Sequence, residues 1–149
     1  MLSGKAREKI KVVLDVNILV SALFFPHGKP RLIWQLVEDG KIASISCDQI
    51  LDKLLEVIIR PKFDKYGLSF AERIGFGVRV RYFSSIINIS GDVPAVTGDH
   101  EDDIVLACAV QGKAQYLISG DPHLKNLGFF EAVEVITVDT LLSRFAEKE

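Results

Sequence analysis

Carboxylates stand at three separated points of the chain, each beside a predicted strand end or helix start. Asp15 directly follows an apolar run, Asp102 and Asp103 open a predicted helix, and Asp121 follows the end of a later strand. In a parallel sheet, ligands bind beyond the carboxyl ends of the strands, where the chain turns into the next helix. The sequence therefore predicts that these acids gather at one edge of a sheet.

Acids gathered in this way raise one another's pKa unless a cation lies between them. Magnesium and manganese are hard divalent ions that prefer such oxygen ligands. Either ion can polarise a phosphate oxygen and lower the pKa of a bound water. The pattern therefore favours a Mg²⁺ or Mn²⁺ site and the hydrolysis of phosphodiesters.

Each acid also has an ordinary structural interpretation. An acid at a helix start, such as Asp102 or Asp103, is more often a cap or a partner of the helix dipole. Asp121 precedes a proline and suits a turn. Asp15 lies between two apolar runs, where an unpaired charge is costly. The combination, rather than any single residue, favours a shared acidic site.

Short apolar segments alternate with segments of helical spacing along the chain. Ser69 and Glu72 form a capping box for one helix, and Asp139 is expected to cap the C-terminal helix. This alternation favours an α/β fold with a mainly parallel sheet covered on both faces. Strands are predicted over residues 10–14, 42–45, 85–89, 115–118 and 133–138.

The composition indicates one globular domain over residues 1–149, with its core between about residues 11 and 145. Hydrophobic residues make up 48% of the chain and charged residues 26%, which excludes a fibre or a disordered tail. The net charge of −2 gives no global basic field. A generic polyanion binder is therefore disfavoured, and a nucleic acid must meet a local basic patch.

The cysteines and the apolar stretches indicate a cytoplasmic location. Cys47 and Cys108 lie in apolar segments without a nearby Cys or His, which suits buried thiols in a reducing compartment. The longest apolar stretch, residues 18–25, is too short to span a membrane. Residues 1–5 are not followed by a secretory cleavage site. We therefore expect no membrane or targeting segment.

Basic residues are concentrated in one part of the chain. Between residues 60 and 81, six basic residues face two acids, whereas residues 92–103 contain five acids and neither Lys nor Arg. This segregation suits a nucleic acid whose phosphate backbone binds to the basic part of the protein. A solvated helix face explains it equally well. The six basic residues are Arg60, Lys62, Lys65, Arg73, Arg79 and Arg81.

Four segments, in order, resemble the PIN domain family. VLDVNILVSA at residues 13–22 resembles the opening of a PIN domain, and EVIIRPKF at residues 56–63 resembles a stretch of one bacterial and archaeal subfamily of VapC-like toxins. DHEDDIVLACA at residues 99–109 and YLISGDPHL at residues 116–124 resemble the acidic helix start and the acidic turn of that subfamily. The resemblance extends from residue 11 to the C-terminal helix.

This resemblance implies a PIN-like three-layer α/β/α fold with a five-stranded, mainly parallel sheet. It also implies a metal-dependent ribonuclease that acts as the toxin of a toxin–antitoxin pair, with RNA as substrate, a cognate antitoxin as partner and a homodimer as assembly. By motif position, Asp15, Asp103 and Asp121 would be the metal-site acids. Asn17 and Ser119 would be their polar supports.

One position departs from the family pattern. Where the family usually has a glutamate, seven residues before the arginine of the Arg-Pro-Lys motif, this chain has Lys53. Asp52 and Glu56 lie about 100° and 60° from Lys53 around a helix, so either could reach a metal through water. Alternatively, the Lys53 ammonium could stand among the carboxylates and weaken metal affinity. The second interpretation is a catalytically weakened PIN fold that binds RNA or protein.

Overall fold

Six strands form one sheet in the computed structural model, which describes residues 8–148 of the chain. The strand order across the sheet is β3-β2-β1-β4-β6-β5, and every pairing except that of β5 with β6 is parallel. The predicted α/β fold with a mainly parallel sheet is therefore confirmed. The strands are β1 (Ile10–Leu14), β2 (Ile42–Cys47), β3 (Ser84–Ile87), β4 (Tyr116–Ile118), β5 (Phe129–Phe130) and β6 (Val133–Ile136).

Helices flank this sheet and connect its parallel strands. One group contains α1, α2, α3, α4 and α7, which contact one another in succession, whereas α5 packs on β1, β2 and β4. The helices are α1 (Val16–Phe24), α2 (Lys29–Glu38), α3 (Asp48–Ile58), α4 (Phe70–Phe83), α5 (His100–Gln111), α6 (Pro122–Lys125) and α7 (Val138–Lys148), and a 3₁₀ helix covers Pro61–Tyr66.

The central strands explain where the acids lie. β1 is buried along most of its length because helices cover both of its faces, as expected for a run of β-branched residues in a parallel sheet. Leu14 pairs with Ile118, so β1 and β4 end side by side. The backbone N–H of Asp15 continues this pairing by donating to the Ile118 carbonyl at 3.1 Å. Residues that directly follow the two strands are therefore neighbours.

The sheet has six strands rather than the five that the family resemblance implied. The additional strand, β5, has only two residues and returns antiparallel to β6. Gly128 and Glu131 both have positive φ, which allows the chain to reverse tightly around this strand. A two-residue strand is too short to produce an alternating apolar pattern, so the sequence gives no signal for it.

The ends of two helices test the predicted caps. The capping box of α4 is confirmed, because the Ser69 hydroxyl accepts from the Glu72 N–H and the Glu72 carboxylate accepts from the Ser69 N–H, both at 3.0 Å. The prediction for Asp139 is wrong. α7 already begins at Val138, so Asp139 lies inside its first turn and forms an ion pair with Lys29, while Thr137 Oγ1 accepts from the Thr140 N–H.

Close packing joins α5 to the sheet. A Cβ on Gly112, at the end of α5, would lie 2.6 Å from Ile45 Cγ2 and 2.9 Å from the Cys108 carbonyl oxygen, so only glycine fits there. Cys47 and Cys108 are free and buried, as the sequence predicts. α5 therefore approaches the sheet closely, which fixes the position of its acidic N-terminus.

The outer side of α4 is unusually apolar. Phe70, Val78 and Tyr82 are 67%, 61% and 79% exposed, and together with the half-buried Ile74 they recur at four-residue spacing along one side of the helix. We refer to these four residues as the α4 apolar face. Arg73, Phe76 and Val80 occupy the opposite, buried side. α4 therefore has two apolar sides, of which the sheet and its neighbours cover only one.

None of the helices within residues 8–148 has the length and apolar character that crossing a bilayer requires. The expectation that residues 1–5 carry no targeting signal falls outside the described part of the chain.

Candidate active site

A cleft of about 270 Å³ opens beyond the carboxyl ends of β1 and β4. Its apolar lining comes mainly from α1, α3 and α5. Its charged lining consists of four acids and three cations. The separate acidic and basic segments of the sequence predict this arrangement only in part. These charged residues are Asp15, Glu101, Asp102, Asp121, Lys53, Arg60 and Lys62.

Asp15 ends β1 and caps α1. One carboxylate oxygen, Oδ1, accepts from the Val16 N–H at 2.8 Å, and the other, Oδ2, accepts from the Ser119 hydroxyl at 2.8 Å. The residue is only 7% exposed. Burial raises the pKa of Asp15 above its ordinary value, although these two hydrogen bonds oppose the increase, and the charge of Asp121 adds to it. Asp15 is therefore both a helix cap and a charged lining residue.

Ser119 connects two acids that are distant in sequence. Its buried hydroxyl donates to Asp15 and accepts from the Asp121 N–H at 3.0 Å. The Asp121 Oδ1 atom accepts from the His123 N–H at 2.8 Å and so caps α6. Ser119, which the family resemblance implies as a polar support, thus contacts both Asp15 and Asp121. Its hydroxyl fixes the distance between the turns that follow β1 and β4.

Asp102, in the first turn of α5, lines the cleft together with Asp15 and Asp121. The pKa of Asp102 is raised to about 6 by burial and by the charges of Asp121, Asp99 and Asp15. A hydrogen bond with Asp121, which only the protonated form of Asp102 can donate, adds to the increase. The cleft therefore contains three close carboxylates whose mutual repulsion is not neutralised.

The family resemblance implies Asp103 as a metal-site acid, but the structure places Asp103 outside this cleft. Its Oδ1 atom accepts from the Thr97 N–H and the Thr97 hydroxyl, both at 2.8 Å, and from the Val96 N–H at 3.2 Å. Burial raises the pKa of Asp103, but these hydrogen bonds outweigh it and hold the pKa below its ordinary value. Asp103 lines a separate cavity of about 150 Å³. Successive helical residues point about 100° apart, so the side chains of Asp102 and Asp103 lie on different sides of α5.

The other predicted polar residues fall into two groups. Asn17 is exposed in the first turn of α1 and lines the cleft, where its amide oxygen is available as a ligand. Asp52 and Glu56 do not line the cleft, so the structure does not bring either suggested fourth acid to Asp15. Asp52 is exposed on α3, and Glu56 accepts from Arg60 at 3.1 Å.

Lys53 lines the cleft without forming an ion pair with Asp15, Asp102 or Asp121. Its ammonium lies 3.4 Å from Glu101 Oε2 and 3.5 Å from Glu56 Oε1. The ion pair with Glu101 links α3 to the N-terminal turn of α5 across the cleft. Glu101 is a cleft residue that the sequence interpretation missed; its only signal was its position directly before Asp102.

Only part of the predicted basic lobe faces the cleft. Arg60 and Lys62 line it, whereas Arg79 and Arg81 form ion pairs with Glu38 and Asp48 elsewhere. Arg73 is 5% exposed and binds backbone carbonyls inside the fold, so it is not available to a ligand. The prediction that these three arginines hold a nucleic acid strand is therefore not supported by their positions.

The donor set determines which metal the cleft suits. Within residues 8–148, no three His, Cys, Asp or Glu side chains form a ready metal-binding cluster. Mg²⁺, however, is usually held by one or two carboxylates, several waters and substrate phosphates rather than by a protein cage. Asp15, Asp102 and Asp121 supply hard oxygen donors with uncompensated charge. This chemistry fits an open site for Mg²⁺ or Mn²⁺.

Two comparisons with known proteins gave matches that cover most of the chain. A family model described as "PIN domain" matches residues 11–123. An uncharacterized protein of Methanocaldococcus jannaschii, MJ1680, is 32% identical over 119 residues, which cover 80% of this chain and 76% of the relative. The matched residues include β1, the start of α5 and the turn after β4. All the acids of the cleft are therefore inside the matched region.

Proposed function

This chain belongs to the PIN domain family, and from that premise we propose that it is a divalent-metal-dependent endoribonuclease. PIN domains are commonly metal-dependent nucleases that act on nucleic acid. The observation that carries the proposal is the convergence of Asp15, Asp102 and Asp121 from three separate parts of the chain on one cleft. Carboxylates brought together in this way suit a divalent cation and phosphodiester hydrolysis.

The residues of the cleft would have different roles in the proposed reaction. Asp15, Asp102 and Asp121 would hold Mg²⁺ or Mn²⁺, with Asn17 as a further oxygen donor. When bound, the ion would lower the pKa of a water molecule and stabilise negative charge on the phosphate. Ser119 keeps Asp15 and Asp121 in fixed orientation through its two hydrogen bonds.

The cations of the cleft would help to bind the substrate. Arg60 and Lys62 present positive charge on the same cleft as the acids, so they would attract the backbone of an RNA strand. Lys53 pairs with Glu101 and so links α3 to the N-terminal turn of α5, beside the acids of the cleft.

We further propose that the protein is the VapC-like toxin of a toxin–antitoxin pair, that it acts in the cytoplasm, and that it binds its antitoxin and forms a homodimer. The α4 apolar face supports the part of this proposal that concerns protein partners. Exposed contiguous apolar surface on a small protein marks interaction sites. None of the four residues of the α4 apolar face lines the cleft, so a partner bound there need not displace the acids.

Titration of Mn²⁺ into the metal-free protein tests the proposed site. We expect the parent to bind Mn²⁺ and Asp15→Asn to weaken binding by at least about tenfold, since the variant removes a charged ligand from a site that depends on it. Asparagine still caps a helix well, so the variant should fold. The measurement is isothermal titration calorimetry at neutral pH.

Asp52→Asn is the control for this titration, because Asp52 is an exposed acid of α3 outside the cleft. Its Mn²⁺ affinity should equal that of the parent. Equal affinity in the parent and in Asp15→Asn would contradict the assignment of the site.

A second candidate function is a catalytically weakened module that binds RNA or protein. The observation that favours it is Lys53, which stands in the cleft where the family usually has a glutamate. Under the first proposal the parent already cleaves RNA, and Lys53→Glu changes the rate by no more than about fivefold, because a partly exposed ion pair contributes about 0–1 kcal/mol. Initial rates with labelled RNA and Mg²⁺ provide the measurement.

Lys53→Gln separates the loss of the ammonium from the gain of a carboxylate. If Lys53→Glu creates metal-dependent cleavage that both the parent and Lys53→Gln lack, the weakened module is the correct description of the natural protein. That result would replace the first proposal.

A further inference from the structure

The three cations of the cleft differ in how far the protein neutralises them. Lys53 lies between Glu101 and Glu56, and Arg60 forms an ion pair with Glu56. Lys62 has no acidic partner among the described residues; its contact is with the Phe63 ring, whose centroid lies 5.2 Å from the ammonium. Among the three cations of the cleft, Lys62 is therefore the one whose charge is available to bind a ligand.

The backbone beneath Lys62 is held firmly. Pro61 begins the 3₁₀ helix directly after Arg60, whose carbonyl accepts from the buried guanidinium of Arg73 at 3.4 Å. The Phe63 ring stacks on Phe24 with centroids 4.5 Å apart and planes within 5°. The side chain of Lys62 thus extends from a fixed base, while its ammonium can leave the half-buried Phe63 ring to reach a stronger partner. A phosphate is a stronger partner than an aromatic face.

Phosphate is the ligand class that this arrangement fits. The cleft is only about 270 Å³, and it holds both the carboxylates and Lys62. A strand whose reacting phosphate reaches the acids therefore has a neighbouring phosphate in the same small space. Without a cation there, the carboxylates would repel that phosphate.

The remaining lining indicates a single strand rather than a duplex. Val16, Phe63 and Ile104 line the cleft and are only half-buried, so they present apolar surface to it. An unpaired base can cover such a surface, whereas the faces of a paired base are already stacked within the helix.

We propose that Lys62 is a substrate-positioning residue that binds the backbone phosphate next to the reacting one, in single-stranded RNA. This inference rests on the proposed ribonuclease function and deepens it. It assigns one residue a role separate from the carboxylates, and it gives the cleft a preference for unpaired strands.

Lys65 provides a matched control for a test of Lys62. Both residues belong to the same 3₁₀ helix, and the Lys65 ammonium lies 5.4 Å from the centroid of the Tyr66 ring. Lys65, however, does not line the cleft. Lys62→Gln and Lys65→Gln therefore remove the same charge and a similar ring contact, and they differ in access to the cleft.

The full chain is titrated into a fluorescently labelled single-stranded RNA in EDTA, where metal-dependent cleavage does not occur, over a range of salt concentrations. We expect Lys62→Gln to weaken binding about tenfold, as the loss of one charge-assisted contact predicts. We also expect it to reduce the slope of log affinity against log salt by about 0.7. Lys62→Arg should restore most of both effects, whereas Lys65→Gln should leave them unchanged.

Cleavage kinetics and a duplex of the same sequence complete the test. With Mg²⁺ present, Lys62→Gln should raise KM about tenfold and leave kcat within about twofold of the parent, because binding is lost equally before and during reaction. The duplex should bind more weakly than the single strand. Duplex binding as tight as that of the single strand would overturn the preference for unpaired strands.

The outcomes separate this inference from the function on which it rests. If the parent cleaves RNA but Lys62→Gln binds it with the affinity and salt slope of the parent, the inference fails while the ribonuclease proposal stands. Equal weakening by Lys62→Gln and Lys65→Gln would reflect surface charge in general and would also overturn the inference. A parent that neither binds nor cleaves RNA would overturn both.

Discussion

Replacement of Asp102 by asparagine is expected to reduce metal-dependent RNA cleavage at least about a hundredfold, whereas Asp103→Asn should leave it within about threefold of the parent. The two residues are adjacent and both lie in the first turn of α5. Only Asp102 lines the cleft with Asp15 and Asp121. Initial rates with labelled RNA and saturating Mg²⁺ measure the difference.

Asp103→Asn is a demanding control because the substitution is chemically identical and one residue away. Its side-chain oxygen can still accept from the Thr97 N–H and hydroxyl, so the loop before α5 should keep its place. Loss of activity in Asp103→Asn with retained activity in Asp102→Asn would reverse the assignment of the two acids.

The stability of metal-free Asp102→Asn shows whether that variant is folded, and it has a predictable dependence on pH. The folded protein raises the pKa of Asp102 from 3.8 to about 6, so between these values the folded state binds more protons than the unfolded state. Stability therefore falls as pH rises through this range. Asp102→Asn should melt above the parent at pH 8 and level with it near pH 3. A variant that melts below the parent at pH 8 would contradict unrelieved repulsion in the cleft.

Replacement of Arg73 by leucine is expected to lower the free energy of unfolding by about 3 kcal/mol, which reduces Tm by about 6–12 °C in a chain of this size. The buried guanidinium donates to the carbonyls of Leu68 and Ile58 at 3.1 and 3.2 Å and to Asp64 at 2.9 Å. Leucine keeps much of the apolar volume but leaves these carbonyls without a donor. Thermal and denaturant unfolding provide the measurement.

Arg81→Leu is the matched control, because Arg81 belongs to the same helix, whereas both it and its partner Asp48 are exposed. Its effect should stay within about 1 kcal/mol, since exposed ion pairs contribute little. If both variants unfold like the parent, the contacts of Arg73 do not stabilise the turn that carries Lys62.

The positions of Asp15 and Asp121 could be predicted from the sequence because the ends of the strands could be predicted. A short apolar run marks β1, another marks β4, and parallel strands bring their carboxyl ends to one edge. The acids that follow those runs therefore lie at the same edge, and they are neighbours because β1 and β4 are adjacent in the sheet. The same logic gave the fold class, since it depends only on the order of strands and helices.

The choice between Asp102 and Asp103 was not accessible in this way. It depends on how α5 is rotated about its axis, and Thr97 helps to fix that rotation from an irregular loop without a sequence signature. The roles of Arg73 and Arg79 were hidden for a related reason. α4 is apolar on two sides, so its periodicity does not reveal which side packs inward.

The hydrogen bond between Ser119 and Asp15 joins residues that are 104 positions apart in the chain. It forms only after β4 has paired with β1, and such distant pairings come late because a long loop must close first. A nascent chain that has emerged only as far as α4 contains one of the three cleft carboxylates and lacks Ser119. For the proposed ribonuclease, catalytic competence therefore arises only after the turn that follows β4 has been synthesised, and chains released by a stalled ribosome before that point cannot degrade RNA.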